Sequence, residues 1–355
     1  MDLTLSMTLA GVHRTFMPND LFWTRFFGQQ FLSPTPTIVF DEVFEDNRIL
    51  GKFALPNIVA PVNSETGYEV VSYKPAYMKE KDSIEYWSDS LFNRVPGEQI
   101  GGSYSPAQRA ELMRADHVKK HTIRMENRFN AMCAQALIAG KEIIVGDNYP
   151  EHTVDFRRNA NHTAVLTGAQ AWDQAGVNPL DAIGDMADQL YLTTGGATTD
   201  VVFGPLAWKL FHKYLVDTKQ AWFSTFTKGA DVNFSQIAIG GLKQTAYMGT
   251  ITGNNGETLN LWVDNTTFID PVTRLTGRHL GENDVVGIDV NGFKGIQCFG
   301  AIKDKKAGNG GLAAMRMFSR EIELEEPSAD YVLTQSAPLM IPGNTNASWR
   351  LTVKQ

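Results

Sequence analysis

His117 and His121 stand four residues apart, a spacing that puts two imidazoles on one face of a helix and suits metal ligation. No third ligand is evident in the sequence, and a polar helix face accounts for the pair more simply. Asp181, Asp185 and Asp188 form a second cluster, whose carboxylates could serve acid/base or metal chemistry as part of a hydrolase. The same spacing is common on solvated helix faces. Gly308-Asn309-Gly310-Gly311 could cradle a phosphate, but it does not open a helix after a strand and reads as a flexible loop. Ser336, in Gln335-Ser336-Ala337-Pro338-Leu339, has no discernible His or Asp partner. There is no Walker A, G-x-S-x-G or H-E-x-x-H motif. The expectation is a protein that is not an enzyme, with no catalytic residues, no metal and no cofactor.

Positioning these residues falls first to one long helix. Ser105 is an N-cap candidate, Pro106 suits the first helical position, Gln108 completes a capping box, and Gly140 offers a left-handed stop. No Gly and no further Pro interrupts the stretch between them, where good helix formers dominate. At about 1.5 Å per residue it would reach roughly 50 Å. Val118, Thr122, Met125, Phe129, Met132 and Ala136 make an apolar stripe. His117, Lys120, His121, Arg124 and Arg128 make a second stripe, diluted by Glu111, Asp116 and Glu126. That stripe is either a solvated face or a basic surface turned to a polyanion.

The net charge of −7 excludes a globally basic nucleic-acid binder, so any DNA contact must come from a local patch. Cys133 and Cys298, the two cysteines, form neither a disulfide framework nor a zinc site, which points to a reducing compartment. The opening residues lack the basic and apolar regions of a signal peptide, and no apolar run is long enough for a membrane span. A cytoplasmic, soluble chain follows from these features, and in such a chain the Asn161-His162-Thr163 sequon is silent.

Along the chain, Leu21, Phe22, Trp23, Phe26, Phe27, Phe31 and Leu32 crowd into twelve residues, as a buried helix or as an arm lying across something apolar. Thr37 to Phe40 reads as a strand. Lys52–Leu55, Ile58–Val62, Glu69–Tyr73 and Ile84–Tyr86 read as a long ribbon turning at 63–67, with Tyr68, Tyr73, Tyr77, Tyr86 and Trp87 as interface aromatics. Such a ribbon is marginal alone and must lean on another surface. Strands are expected at Lys141–Val145 and Val154–Phe156, then helices at Pro179–Leu192 and Pro205–Val216. The second of these turns Leu206, Leu210, Phe211 and Tyr214 inward. From Ile237 to Phe299 the pattern is β-rich, with a hairpin turn at Gly253-Asn254-Asn255-Gly256. Glu321 to Val332 reads as acidic and extended, and Ser348 to Val353 as a closing strand. The class is α+β, its first and last parts sharing one domain around an inserted module of about 130 residues.

Four runs carry a family resemblance in one order: Leu21-Phe22-Trp23-Thr24-Arg25-Phe26-Phe27, Tyr73-Lys74-Pro75-Ala76-Tyr77-Met78-Lys79, Val201-Val202-Phe203-Gly204-Pro205-Leu206-Ala207-Trp208-Lys209-Leu210-Phe211, and Thr334-Gln335-Ser336-Ala337-Pro338-Leu339-Met340. With the order arm, ribbon, long helix, inserted module and closing strand, the chain resembles the major capsid proteins of tailed phages with the Hong Kong 97-type fold. It looks most like the lambda-type head proteins, the capsid protein E family.

That resemblance implies an N-terminal arm at 1–35, an E-loop region at 36–95, and a peripheral domain at 96–177 holding a spine helix at 105–139. It further implies an axial domain at 178–311 and a return to the peripheral domain at 312–355. The implied function is assembly into the icosahedral head of a tailed double-stranded DNA phage; an encapsulin-like compartment holding cargo enzymes is the alternative. Phe22, Trp23, Phe26, Phe27, Tyr68, Tyr73, Tyr77 and Trp87 are then expected at contacts between subunits, and Lys120, Arg124 and Arg128 toward packaged DNA. Implied partners are further copies in hexameric and pentameric capsomers, a scaffolding protein, a portal and a decoration protein, with no membrane. Lys79 and Lys81 match no crosslinking pattern, and the lambda type argues against crosslinking. The implied location is the virion, after assembly in the host cytoplasm.

Overall fold

A computed structural model of the chain describes residues 21–43, 68–85, 105–146, 149–218, 244–271, 273–307, 311–325 and 329–355. Trp87 and the ribbon residues 52–67, with the expected turn, lie outside these.

Helix α1 runs Pro106–Ala139, and its ends obey the sequence. The Ser105 hydroxyl accepts from the Gln108 backbone N–H at 3.3 Å, and the Gln108 side-chain oxygen accepts from the Ser105 N–H at 2.9 Å. These two bonds satisfy donors that a helix start otherwise leaves orphaned. Gly140 closes the helix at φ 64°, its N–H donating to the Ala136 carbonyl at 3.1 Å. The expected apolar stripe is buried throughout, from Val118 to Ala136. The polar faces are not all solvated, however. His121, Glu126 and Asn130 are also buried, because α1 is gripped by structure on more than one side.

Its first half covers an antiparallel sheet of Phe318–Leu324, Ala329–Ser336 and Met78–Glu85, where Ala110 and Val118 meet Ile84 and Val332. The acidic stretch expected from 321 to 332 thus contributes to two paired antiparallel strands. The second half of α1 packs on a sheet ordered Gln29–Leu32, Ile296–Phe299, Pro338–Ile341, where the Phe129 and Phe299 rings stand 5.3 Å apart.

A six-stranded sheet lies beside these, in the order Thr163–Val165, Ser348–Thr352, Asp284–Ile288, Asp200–Phe203, Thr258–Asp264, Thr245–Thr252. Strand alternation divides its side chains between two cores. Val201, Phe203, Leu261, Val285 and Trp349 join helices α2 (Pro179–Thr194) and α3 (Pro205–Asp217) on one side. Val202, Trp262, Val286 and Ile288 face the core around α1 on the other. Covered on both faces, the central strands read as continuous apolar runs.

One expectation needs correction. In α3 Ala207, Phe211 and Leu215 are buried and Leu210 and Tyr214 pack half-buried against the same core, while Leu206 in the first turn is exposed. The closing strand pairs with Asp284–Ile288, and Ile296–Phe299 pairs with strands near both ends of the chain. Strand pairing thus joins segments that chain order separates.

Candidate nucleic-acid and assembly surfaces

The carboxylate cluster on α2 is structural. Asp181 Oδ1 accepts from the amides of Asn178 and Asn254, both at 2.7 Å, and Asp188 Oδ1 accepts from Asn255 at 2.7 Å. Asp181 and Asp188 fasten the 253–256 hairpin turn to the helix. Among the described residues no group of three or more His, Cys, Asp or Glu is placed to hold a metal.

His117 and His121 meet one carboxylate that sequence spacing could not reveal. His117 Nδ1 and His121 Nε2 lie 3.1 and 3.2 Å from the same oxygen of Asp82, on the strand Met78–Glu85. The second contact is not aligned for a hydrogen bond. His121 Nδ1 reaches Thr334 Oγ1 at 3.0 Å. Burial holds the His121 imidazole below its ordinary 6.5, against the upward pull of Asp82 and Glu80. For Asp82, burial pulls upward, but His121, His117 and Arg124 outweigh it and leave the carboxyl below 3.8. This is a clasp between α1 and the strand.

The thiols of Cys133 and Cys298 are buried and free; burial pushes Cys298 up to about 12 and Cys133 also upward. Neither is an available nucleophile. The Ser336 hydroxyl donates to the Arg316 carbonyl at 2.7 Å. Of the glycine-rich loop only Gly311 is described.

The aromatic cluster at 22–27 is not a free surface. Phe22, Trp23, Phe26 and Phe27 are buried in the chain's own core, in and around a single 3-10 turn, Trp23–Phe26. The Trp23 backbone N–H donates to Asn130 of α1 at 3.0 Å, and its indole N–H to Asp264 of the six-stranded sheet at 3.1 Å. The Arg25 guanidinium lies over Phe22, Phe26 and Trp262 at 4.1–4.5 Å and pairs with Asp200 at 2.5 Å. The expectation of intersubunit contacts at these four aromatics is corrected accordingly, because apolar rings bury against whichever surface is nearest, here their own sheet. Tyr73 also turns inward, its ring 6.0 Å from Phe156. The Tyr77 hydroxyl donates to the Ala301 carbonyl at 2.8 Å and accepts from the Lys303 N–H at 2.7 Å. Tyr68 begins the strand Tyr68–Tyr73.

The basic stripe is partly neutralised. Lys120 pairs with Asp116 at 2.6 Å and Arg124 with Glu80 at 3.0 Å. Arg128 has no carboxylate partner among the described residues. It lines a groove of about 760 Å³ between α1 and a small hairpin of Thr267–Ile269 and Thr276–Arg278. Arg274, Asn127 and His279 line it too. Burial takes the His279 imidazole down to about 4, so it is neutral at pH 7 and the groove's cations are arginines.

Compared with known proteins, residues 10–353 match the model of the phage major capsid protein E family. The chain belongs to that family. This capsid protein is a structural subunit, not an enzyme. It is similar to the major capsid protein of Enterobacteria phage P21, at 24% identity over 85% of this chain and 86% of that one. It is also similar to that of Enterobacteria phage phi80, at 21% identity over 95% of each. Its fold matches the crystal structure of a prophage capsid protein from Escherichia coli CFT073, with a TM-score of 0.68, 18% identity and 99% coverage of both chains. The α+β capsid fold expected from the four sequence runs is therefore the fold observed. Among the described residues no helix is long and apolar enough to cross a membrane. Sequence reasoning missed Glu80, Asp82 and Arg274, each from a segment whose meeting with α1 has no local signal, and Asn127, which lies on α1 itself.

Proposed function

We propose that this capsid protein closes, as pentameric and hexameric capsomers, into the icosahedral head of a tailed phage and encloses its double-stranded DNA. The observation that carries the reading is the family match across residues 10–353. In this reading the subunit assembles in the host cytoplasm with a scaffolding protein and a portal, a decoration protein reinforces the shell, and residues of the ribbon, Tyr68 and Trp87 among them, lie at subunit contacts. The arm, ribbon, peripheral and axial parts keep the roles the family resemblance gives them. Arg124 and Arg128 face the genome, and contacts to it are non-specific phosphate contacts. Lys120 contributes less, its ammonium already being held by Asp116.

Imaging what the purified chain forms, alone and with a scaffolding partner, tests this. Closed particles or rings of five and six that retain nucleic acid are expected. A monodisperse monomer under every assembly condition would overturn the reading. Particles filled with protein cargo would replace it with the encapsulin-like alternative.

A further inference from the structure

The groove beside α1 has an uneven set of side chains. Its carboxylates are Glu80, engaged with Arg124 at 3.0 Å, and Asp270, which accepts from the Thr273 N–H of its own hairpin at 2.8 Å. Arg128 and Arg274 have no carboxylate partner among the described residues, and Asn127 adds an exposed amide beside them. These donors come from segments about 150 residues apart in sequence, brought to one concavity by the fold. Arg274 holds a left-handed backbone, φ 59°, where Gly or Asn would be at ease.

Two guanidinium forks and an amide, on a chain of net charge −7, are the donor set for phosphate oxygens. Two forks from separate elements can grip one phosphate from two sides or take neighbouring phosphates of a strand. The volume is too small to admit a whole duplex, but it can take the sugar–phosphate edge of one. We propose that this groove is a phosphodiester-binding site, with Arg128 and Arg274 as its phosphate contacts and Asn127 as a supporting donor. The site rests on the reading of a DNA-enclosing shell and narrows it: the contact is a groove shared by α1 and the hairpin, rather than the whole stripe from Lys120 to Arg128.

The test titrates the full-length protein with a fluorescent 20-base-pair DNA duplex at salt concentrations from 50 to 300 mM. The plot of log affinity against log salt should lose about 1.8 of its slope in Arg128→Gln/Arg274→Gln, two phosphate contacts at about 0.9 each. Lys120→Gln should leave the slope within about 0.3 of the parent, its ammonium being held by Asp116. Both arginines reach solvent, and equal melting temperatures would show that the double variant still folds. An unchanged slope overturns the proposal. So does polyglutamate displacing the DNA at equal charge, which would assign the groove to an acidic protein segment. Particle formation, imaged separately, reads the shell function: particles that form while the slope falls support both statements, and failure of the parent to form particles removes the shell reading without altering the slope comparison.

Discussion

Glu142 is fully buried on the strand that follows α1, and among the described residues neither carboxylate oxygen has an aligned hydrogen-bond donor. Burial pushes its carboxyl from the ordinary 4.5 up to about 8, with the Met340 backbone amide pulling weakly the other way. A raised carboxyl favours the folded chain below about pH 4.5 and penalises it increasingly as the pH rises through 8. At pH 7 the penalty is roughly 3 kcal/mol. Glu142→Gln keeps the shape and removes the ionisation, so its melting temperature should exceed the parent's at pH 8 and nearly equal it at pH 5. A gain that does not grow with pH would show that Glu142 is not ionising inside the fold. Nothing local marks this residue: Lys141-Glu142-Ile143-Ile144 reads as a strand with a polar second position, and only α1 above it makes that position an interior one.

The elements divide by how local their causes are. α1 was legible to the residue because its start and stop depend on side chains within four positions of each end. The 253–256 turn was legible for the same reason. The closing strand beside Gly287 was also legible, but the need for glycine there was not. A Cβ on Gly287 would stand 2.1 Å from the indole of Trp349, one strand over and fully buried. Gly287→Ala should therefore destabilise the chain by about 1–3 kcal/mol, as overpacking does. It should lower the urea midpoint without changing the m-value. Adding Trp349→Phe should recover part of that loss, and strictly additive losses would mean that the two positions do not clash.

At the scale of the molecule, Trp23 ties three parts together: the start of the described chain, α1 through Asn130, and the six-stranded sheet through Asp264. Trp23→Ala should cost the isolated chain about 3–5 kcal/mol, the range for emptying a large aromatic site. Chemical denaturation of the unassembled subunit measures it. If the isolated subunit kept its stability while particle assembly failed, Trp23 would belong to a subunit contact rather than to the core.

Composition, helix ends, strand alternation and four ordered runs determined the class, the long helix and the family, because those signals are written within a few residues of one another or along the order of the chain. The tertiary structure alone decided where the apolar arm buries its rings, which carboxylate joins His117 to His121, which arginines have no carboxylate partner among the described residues, and which strands share a sheet. Each of those outcomes depends on a distance between residues tens or hundreds of positions apart, and a pattern of residue types carries no such distance.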